Sequence, residues 1–276
     1  MNIAIVGLGI IGGSYAKALK SHTNHKVIGI NRTESVAKKA LEEGAIDEIG
    51  SPETLSTADV VIVCLYPQAC VDFLRENGKY IRSDAIVTDA CGIKRMICPQ
   101  MKELSEEFGY TYVGSHPMAG KEKNGFAVSD ADLFMGASFI ITPCGAPHEA
   151  VNRLASLARE MGFGTIKITT PEEHDRMIAF TSQLPHVLAC AYVLSPCCPN
   201  HNGFSAGSYR DVSRVASINA KLWSELFLEN KEPLMLELEE LNEHLSSIYE
   251  AIKNEDKEAL CEVLEKAHDV KQALGE

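Results

Sequence analysis

The chain has 276 residues, 45% of them hydrophobic and 23% charged, which suits a globular protein with a sizeable core in one large domain or two smaller ones. Its formal net charge of -12 argues against a nucleic-acid partner, whose phosphates demand a basic face, although a local arginine pocket can still hold a small anion. No apolar run approaches the roughly 20 residues that span a bilayer, so no membrane partner is expected.

The chain opens on an apolar run, residues 2–6, followed by Gly7-Leu8-Gly9-Ile10-Ile11-Gly12 and a helix-like stretch to about Leu19. No basic region precedes that run, so no secretory leader is expected and the protein reads as cytoplasmic. The glycines match G-x-G-x-x-G between a strand and a helix. The first allows the turn, the second lets backbone approach a pyrophosphate, and the third lets helix and strand pack closely. The helix N-terminus then faces the phosphates. The next buried strand, 26–30, ends in Asn31-Arg32-Thr33. An NAD site usually places a carboxylate there for the ribose 2′-hydroxyl. Here none is present, Arg32 can pair with a 2′-phosphate, and Asn31 and Thr33 can donate to it. NADP is therefore the expected cofactor, with NAD possible.

Runs 60–65 and 85–89 are two more buried strands, and their alternation with helical patterns indicates a parallel sheet covered on both faces. Segments 110–113, 138–142 and 164–168 are expected to extend that sheet, and 147–161 reads as the last crossover helix. Between them lies Gly114-Ser115-His116-Pro117-Met118-Ala119-Gly120, read as a tight loop after a strand. A histidine at the carboxyl end of a strand in such a fold lies where ligands bind, and imidazole exchanges protons near neutral pH.

The pattern changes at Thr170-Pro171-Glu172-Glu173, where Thr170 suits an N-cap, Pro171 the first turn and Glu173 a capping box. No strand is expected beyond it. The reading is a two-domain chain: a Rossmann-like dinucleotide-binding domain over 1–169 and an all-α domain over 170–276. Residues 177–194 form an apolar helix kinked at Pro185; a helix apolar nearly all round needs cover on every side, so a homodimer built on this domain is expected. Segments 233–253 and 256–274 read as amphipathic helices with acidic outer faces. The last runs to the end of the sequence, so no C-terminal regulatory domain is expected. At 100° per residue Asp175, Ser182 and His186 share a face. The nine cysteines are scattered through core-like segments, as in reduced proteins. The run Cys197-Cys198-Pro199-Asn200-His201 does not have the spacing of a tetrahedral zinc site, and no metal is expected.

The glycine fingerprint, the GSHPMAG loop, the helix from Glu172-Glu173-His174-Asp175 to Leu184-Pro185-His186, the segment Tyr209-Arg210-Asp211-Val212-Ser213-Arg214 and the following Trp223 come in an order and spacing that resembles the prephenate/arogenate dehydrogenase family of tyrosine biosynthesis. The resemblance covers nearly the whole chain. It implies a nucleotide-binding domain and a helical dimerisation domain with the active site in the cleft between them. It also implies oxidative decarboxylation of a 4-hydroxycyclohexadienyl acid. His116 then corresponds to the hydrogen-bond acceptor, or base, for the C4 hydroxyl, and Arg214 to the arginine that holds a substrate carboxylate. Ser182 and His186 correspond to pocket-lining polar residues, and Gly207 and Trp223 to residues near them. Prephenate as substrate with NADP is the leading expectation. The alternatives are arogenate, dual specificity, a related dehydrogenase of the same two-domain plan, or a non-catalytic NADP-binding sensor. One position departs from the family pattern Asp-x-x-Ser-x-Lys: in Asp89-Ala90-Cys91-Gly92-Ile93-Lys94 the serine that orients the histidine is replaced by Gly92. Cys91 or a water is the candidate substitute.

Overall fold

The computed structural model describes residues 1–121 and 123–275. Strands β1 (Asn2–Val6), β2 (Lys26–Ile30), β3 (Glu48–Ile49), β4 (Val60–Val63), β5 (Ile86–Asp89) and β6 (Thr111–Tyr112) form a parallel sheet in the order β3-β2-β1-β4-β5-β6. The central strands are rich in β-branched residues and buried on both faces, because helices α1 (Ile10–His22), α2 (Glu34–Glu42), α3 (Pro67–Asn77) and α4 (Ile97–Phe108) cover the sheet. The order reverses between β1 and β4, and the crevice at such a switch point is where a doubly wound sheet receives its ligand.

The segment 110–113 extends that sheet as β6, but the strands after it do not. Strands β7 (Gly114–Pro117), β8 (Ser138–Thr142) and β9 (Thr165–Ile168) form a second, three-stranded sheet, with β7 antiparallel to β8 and β9 parallel to it. The chain leaves the first sheet at Val113 and enters the second at once. Short apolar runs carry no mark of which sheet they join, and this is why the pattern misleads. His116 consequently sits within a strand, paired with Ile140, rather than in a loop. Helix α5 (His148–Glu160) packs on this sheet, and an aromatic cluster joins it to α1: Phe134 stacks on Tyr15 with centroids 4.6 Å apart and on Phe163, which in turn meets Phe139.

Beyond Ile168 the described residues contain helices only: α6 (Pro171–Ile178), α7 (Leu184–Val193), α8 (Gly207–Ser213), α9 (Ala220–Glu229), α10 (Lys231–Lys253) and α11 (Lys257–Ala273). Thr170 caps α6 by accepting from the Glu173 N–H. The reciprocal half of the capping box is absent: the Glu173 carboxylate accepts from the Thr169 hydroxyl at 2.7 Å instead. A π-helical turn, Ala179–Gln183, joins α6 to α7. Pro185 has no N–H for the i−4 carbonyl, and the extra residue of a π-turn absorbs that break. The helix expected to be buried over 177–194 is thus interrupted, and within one chain Met177, Phe180, Tyr192 and Leu194 are exposed.

Two buried polar nodes lie at the joint of the domains, and the second bridges it. Asp89, at the end of β5, accepts from the Cys91 and Ser115 N–H groups, the Tyr112 hydroxyl and the Lys94 ammonium. Asp89 and Lys94 are both fully buried. Asp175 of α6 accepts from the Lys94 and Arg95 N–H groups, each at 2.8 Å, so the helical domain caps the loop that carries Lys94. Asn230, at the α9–α10 junction, locks this joint by donating to the Asp175 carbonyl and to Gln183. Removing one partner of a buried ion pair leaves the other uncompensated. Lys94→Met is expected to lower unfolding stability by about 3–5 kcal/mol in urea titration; a midpoint equal to that of the wild type would contradict the assignment.

Candidate active site

A cavity of about 610 Å³ opens between the two domains. Ile10 and Ile11 of the glycine segment line it, as do Gly92, His116, Ser182, His186, Arg214 and Trp223. The structure therefore brings the fingerprint and the histidine strand to one space.

The cofactor end is built by steric necessity. Gly7 has φ +90, and a Cβ on Gly12 would lie 1.9 Å from the Gly7 carbonyl, so α1 can start this close to β1 only without side chains there. A Cβ on Gly9 would meet nothing within 4 Å, which leaves the backbone face open. Gly9 offers no side-chain cap and the first turn of α1 carries no acid, so its orphan N–H groups suit a pyrophosphate. These residues fit a dinucleotide. Asn31 plays a different part from the one expected: its Oδ1 accepts from the Leu8 N–H at 2.9 Å and its Nδ2 donates to the Thr33 carbonyl at 3.0 Å. Its amide shapes the turn, and Arg32 and Thr33 are left exposed at the end of β2.

The catalytic end turns on a relay that the sequence did not disclose. His174 is buried in α6, and its Nδ1 lies 2.6 Å from Asp175 Oδ1. The carboxylate can only accept, so His174 Nδ1 donates and its Nε2 is left to accept. His174 Nε2 lies 2.9 Å from His116 Nδ1, so His116 Nδ1–H donates there. His116 Nε2 is then the unprotonated nitrogen, and it faces Gly92, whose Cβ position lies 3.8 Å away. Burial, then His174 and Lys94, hold the His116 imidazole well below its ordinary range, so it is a neutral acceptor at pH 7. Burial likewise lowers His174, against the pull of Asp175.

Gly92 leaves room for a small side chain beside His116, yet none is needed to fix the ring, because His174 does so from the opposite nitrogen. Cys91 does not take the missing serine's place. Its sulfur lies 3.5 Å from Cys70 Sγ in the core under the sheet.

The other expected residues divide. His186 stacks on Trp223 with ring centroids 3.7 Å apart, and its Nδ1–H donates to the Ser182 carbonyl at 2.7 Å. Arg214 reaches the cavity from the turn after α8, whereas Arg210 does not line it. Gly207 lies outside the cavity at the start of α8 and is exposed. Asp175 does not share a face with Ser182 and His186, because the π-turn shifts the helical phase between them; it points to Lys94 while they point to the cavity. Sequence reasoning passed over Gln183, which lines the cavity and donates to the Leu226 carbonyl. It also passed over Asn219, which donates to the Tyr66 hydroxyl across the domains at 3.1 Å. In the run Cys197–His201, Cys198 contacts the Tyr209 hydroxyl and His201 the Ser205 hydroxyl.

Comparison with known proteins fits this geometry. Residues 15–167 match the model of the prephenate dehydrogenase nucleotide-binding domain, and residues 170–266 that of the prephenate dehydrogenase dimerization domain. The chain belongs to the prephenate dehydrogenase family. It is 31% identical to the cyclohexadienyl dehydrogenase of Zymomonas mobilis, over 99% of this chain and 96% of that protein. It is 29% identical to the prephenate dehydrogenase of Bacillus subtilis, over 99% of this chain and 76% of that one. Among solved structures, Synechocystis arogenate dehydrogenase superposes with a TM-score of 0.84 at 27% identity, covering 99% of this chain and 100% of that one. The A. aeolicus prephenate dehydrogenase bound to hydroxyphenyl propionate and NAD+ gives 0.86 at 28% identity, covering 99% and 98%. The protein is an NAD(P)-dependent dehydrogenase of the oxidative decarboxylating type.

The relay makes two linked predictions about rate. His174→Phe keeps the ring volume but removes the acceptor. It is expected to lower kcat by about 10²-fold while KM changes little, as misplacement of a reacting group does. In the wild type, loss of activity on acidification should begin below pH 6.5, because protonation of His116 removes the acceptor at Nε2 and its pKa is depressed. A His174→Phe enzyme with wild-type kcat, or an acid limb above pH 6.5, would contradict the relay.

Proposed function

We propose that the protein is an NADP-preferring prephenate dehydrogenase, converting prephenate to 4-hydroxyphenylpyruvate and carbon dioxide. The observation that carries this reading is the unprotonated His116 Nε2 lining the same cavity as the glycine segment. A bound nicotinamide cofactor supplies the hydride acceptor. His116 Nε2 accepts the C4 hydroxyl proton as C4 loses hydride and becomes carbonyl-like. It returns the proton to that oxygen as the ring carboxylate leaves and the ring turns aromatic. Such proton transfer is worth about 10²–10⁴-fold. Arg214 fixes a carboxylate in one plane. Ser182 and Trp223 complete the wall, and Gly207 has no part in it within one chain.

His186 bears on the choice of substrate. With its Nδ1–H committed to the Ser182 carbonyl and its ring stacked on Trp223, a protonated His186 donates from Nε2 to a keto oxygen. A neutral ring accepts instead, which suits the ammonium group of arogenate, so arogenate or dual specificity is the second reading.

For the cofactor, the absent carboxylate at the end of β2 and the exposed Arg32 support NADP. The exposed apolar residues of α7 and of the following segment, with Leu194 81% and Phe204 93% exposed, support a second copy as their cover. Leu236, Tyr249 and Ile252 of α10 are exposed as well, so α10 is less purely acidic outside than its sequence suggests. A homodimer through residues 170–276 fits a dimerization-type domain. The absence of any described helix long and apolar enough to cross a membrane is compatible with a cytoplasmic enzyme.

The decisive assay is NADPH formation on addition of prephenate, run beside arogenate and beside NAD. Prephenate with NADP is expected to give the highest kcat/KM; a higher value with arogenate would overturn the substrate choice. His116→Asn should cost about 10³-fold in kcat and leave NADP binding intact. Arg32→Ala should raise the KM for NADP about tenfold or more, the loss expected for a charge-assisted hydrogen bond, and leave that for NAD unchanged. An equal effect on both cofactors would remove Arg32 from the 2′-phosphate site.

A further inference from the structure

Two thiols meet at the start of the strand that carries His116, and neither lines the cavity. Cys98 is buried in the first turn of α4, with its sulfur 3.6 Å from the Thr142 hydroxyl and 3.8 Å from that of Tyr112. Cys144 follows β8 and is half-buried, with its sulfur 3.9 Å from the same Thr142 hydroxyl. Its backbone has φ +53, a left-handed conformation rare for a side chain of this kind and often found where function demands it. Its sulfur lies at the sheet end, where Gly114 pairs with Thr142.

We propose that Cys144 and Cys98 form a peroxide-reactive dithiol, with Cys144 as the attacking sulfur and Cys98 as the resolving one. The surroundings divide the roles. Contact with Cys98, the Thr142 hydroxyl and the Gly114 N–H favour a negative Cys144 sulfur and outweigh burial, bringing its thiol down to about 7. Contact with Cys144 and burial push the Cys98 thiol up, so it keeps its proton. In the first step the Cys144 thiolate attacks one oxygen of a hydroperoxide. The O–O bond breaks, the departing oxygen leaves as water or an alcohol after taking a proton, and Cys144 becomes a sulfenic acid. In the second step the Cys98 sulfur attacks Cys144. The S–S bond forms, the S–O bond breaks, and the hydroxyl leaves as water with the Cys98 proton. The two thiols lose two electrons in all and the peroxide gains them.

The remaining cysteines lack this combination. Cys70 and Cys91 touch, but both lie in the apolar core, and Cys91 is pushed up by its contact with Cys70 and by burial. Burial also raises Cys64. Cys261 is exposed, and the Glu265 carboxylate beside it raises its thiol. Cys197 is exposed and serves as the internal control for simple accessibility. The site also lies close to the catalytic frame: the Cys98 N–H donates to the Lys94 carbonyl at 2.9 Å, and Gly114 stands two residues before His116.

The test is exposure of the intact enzyme at pH 7 to stoichiometric hydrogen peroxide, followed by peptide mapping. The expected product is a Cys98–Cys144 disulfide that dithiothreitol reverses. In Cys98→Ser, where resolution is blocked and a serine hydroxyl takes the place of the neighbouring thiol, dimedone added with the peroxide should label Cys144 about tenfold faster than the exposed Cys261. Oxidation that follows exposure alone, modifying Cys197 and Cys261 while Cys98 and Cys144 stay reduced, would overturn the proposal. Mapping of the wild type decides the matter if the serine variant does not fold.

Discussion

The buried carboxylate of Asp175 is the constraint on which the rest of this molecule depends. It accepts from two backbone N–H groups of the loop after β5 and from the imidazole of its neighbour His174. The first pair of bonds fixes where the helical domain sits on the nucleotide-binding domain. The third fixes which nitrogen of His174 carries a proton, and through it which nitrogen of His116 does. One side chain thus joins domain geometry to proton placement, and a buried acceptor of this kind cannot be displaced without leaving donors unpaired.

Asp89 and Lys94 form the complementary half. Lys94 keeps its charge in full burial because the Asp89 carboxylate beside it opposes the cost of desolvation. That charge, close to His116 but held by Asp89, helps to keep the imidazole neutral. Tyr112 and Ser115 also bond Asp89, so the strand bearing His116 is tied to the end of the parallel sheet although it belongs to another sheet. His116, its orienting partner and the end of the parallel sheet are therefore held by one continuous polar network. This network explains how the ring stays in register with Gly92 in place of a serine.

Much of this was legible in the sequence. The glycine segment, the parallel strands up to residue 89, the Thr170 cap and the helical second domain all follow from local patterns that tertiary contacts reinforce. The second sheet was not legible, because strands 138–142 and 164–168 have the same apolar character wherever they pair. The face shared by Asp175, Ser182 and His186 was drawn from a uniform helix, and a π-turn next to Pro185 shifts that phase. Asn31 was read as a ligand donor, yet its amide serves the loop. His174 was visible beside Asp175, but its role needs the 2.9 Å approach of His116 from 58 residues away, which no local pattern encodes.

The central claim is that Asp175, through His174, leaves His116 Nε2 unprotonated at neutral pH. Long-range ¹⁵N–¹H NMR of histidine-labelled enzyme reports the protonation of each ring nitrogen directly. The account predicts, at pH 7, a His116 resonance pattern with Nδ1 protonated and Nε2 bare, which Asp175→Asn disturbs. A protonated His116 Nε2 in the wild-type enzyme would contradict it.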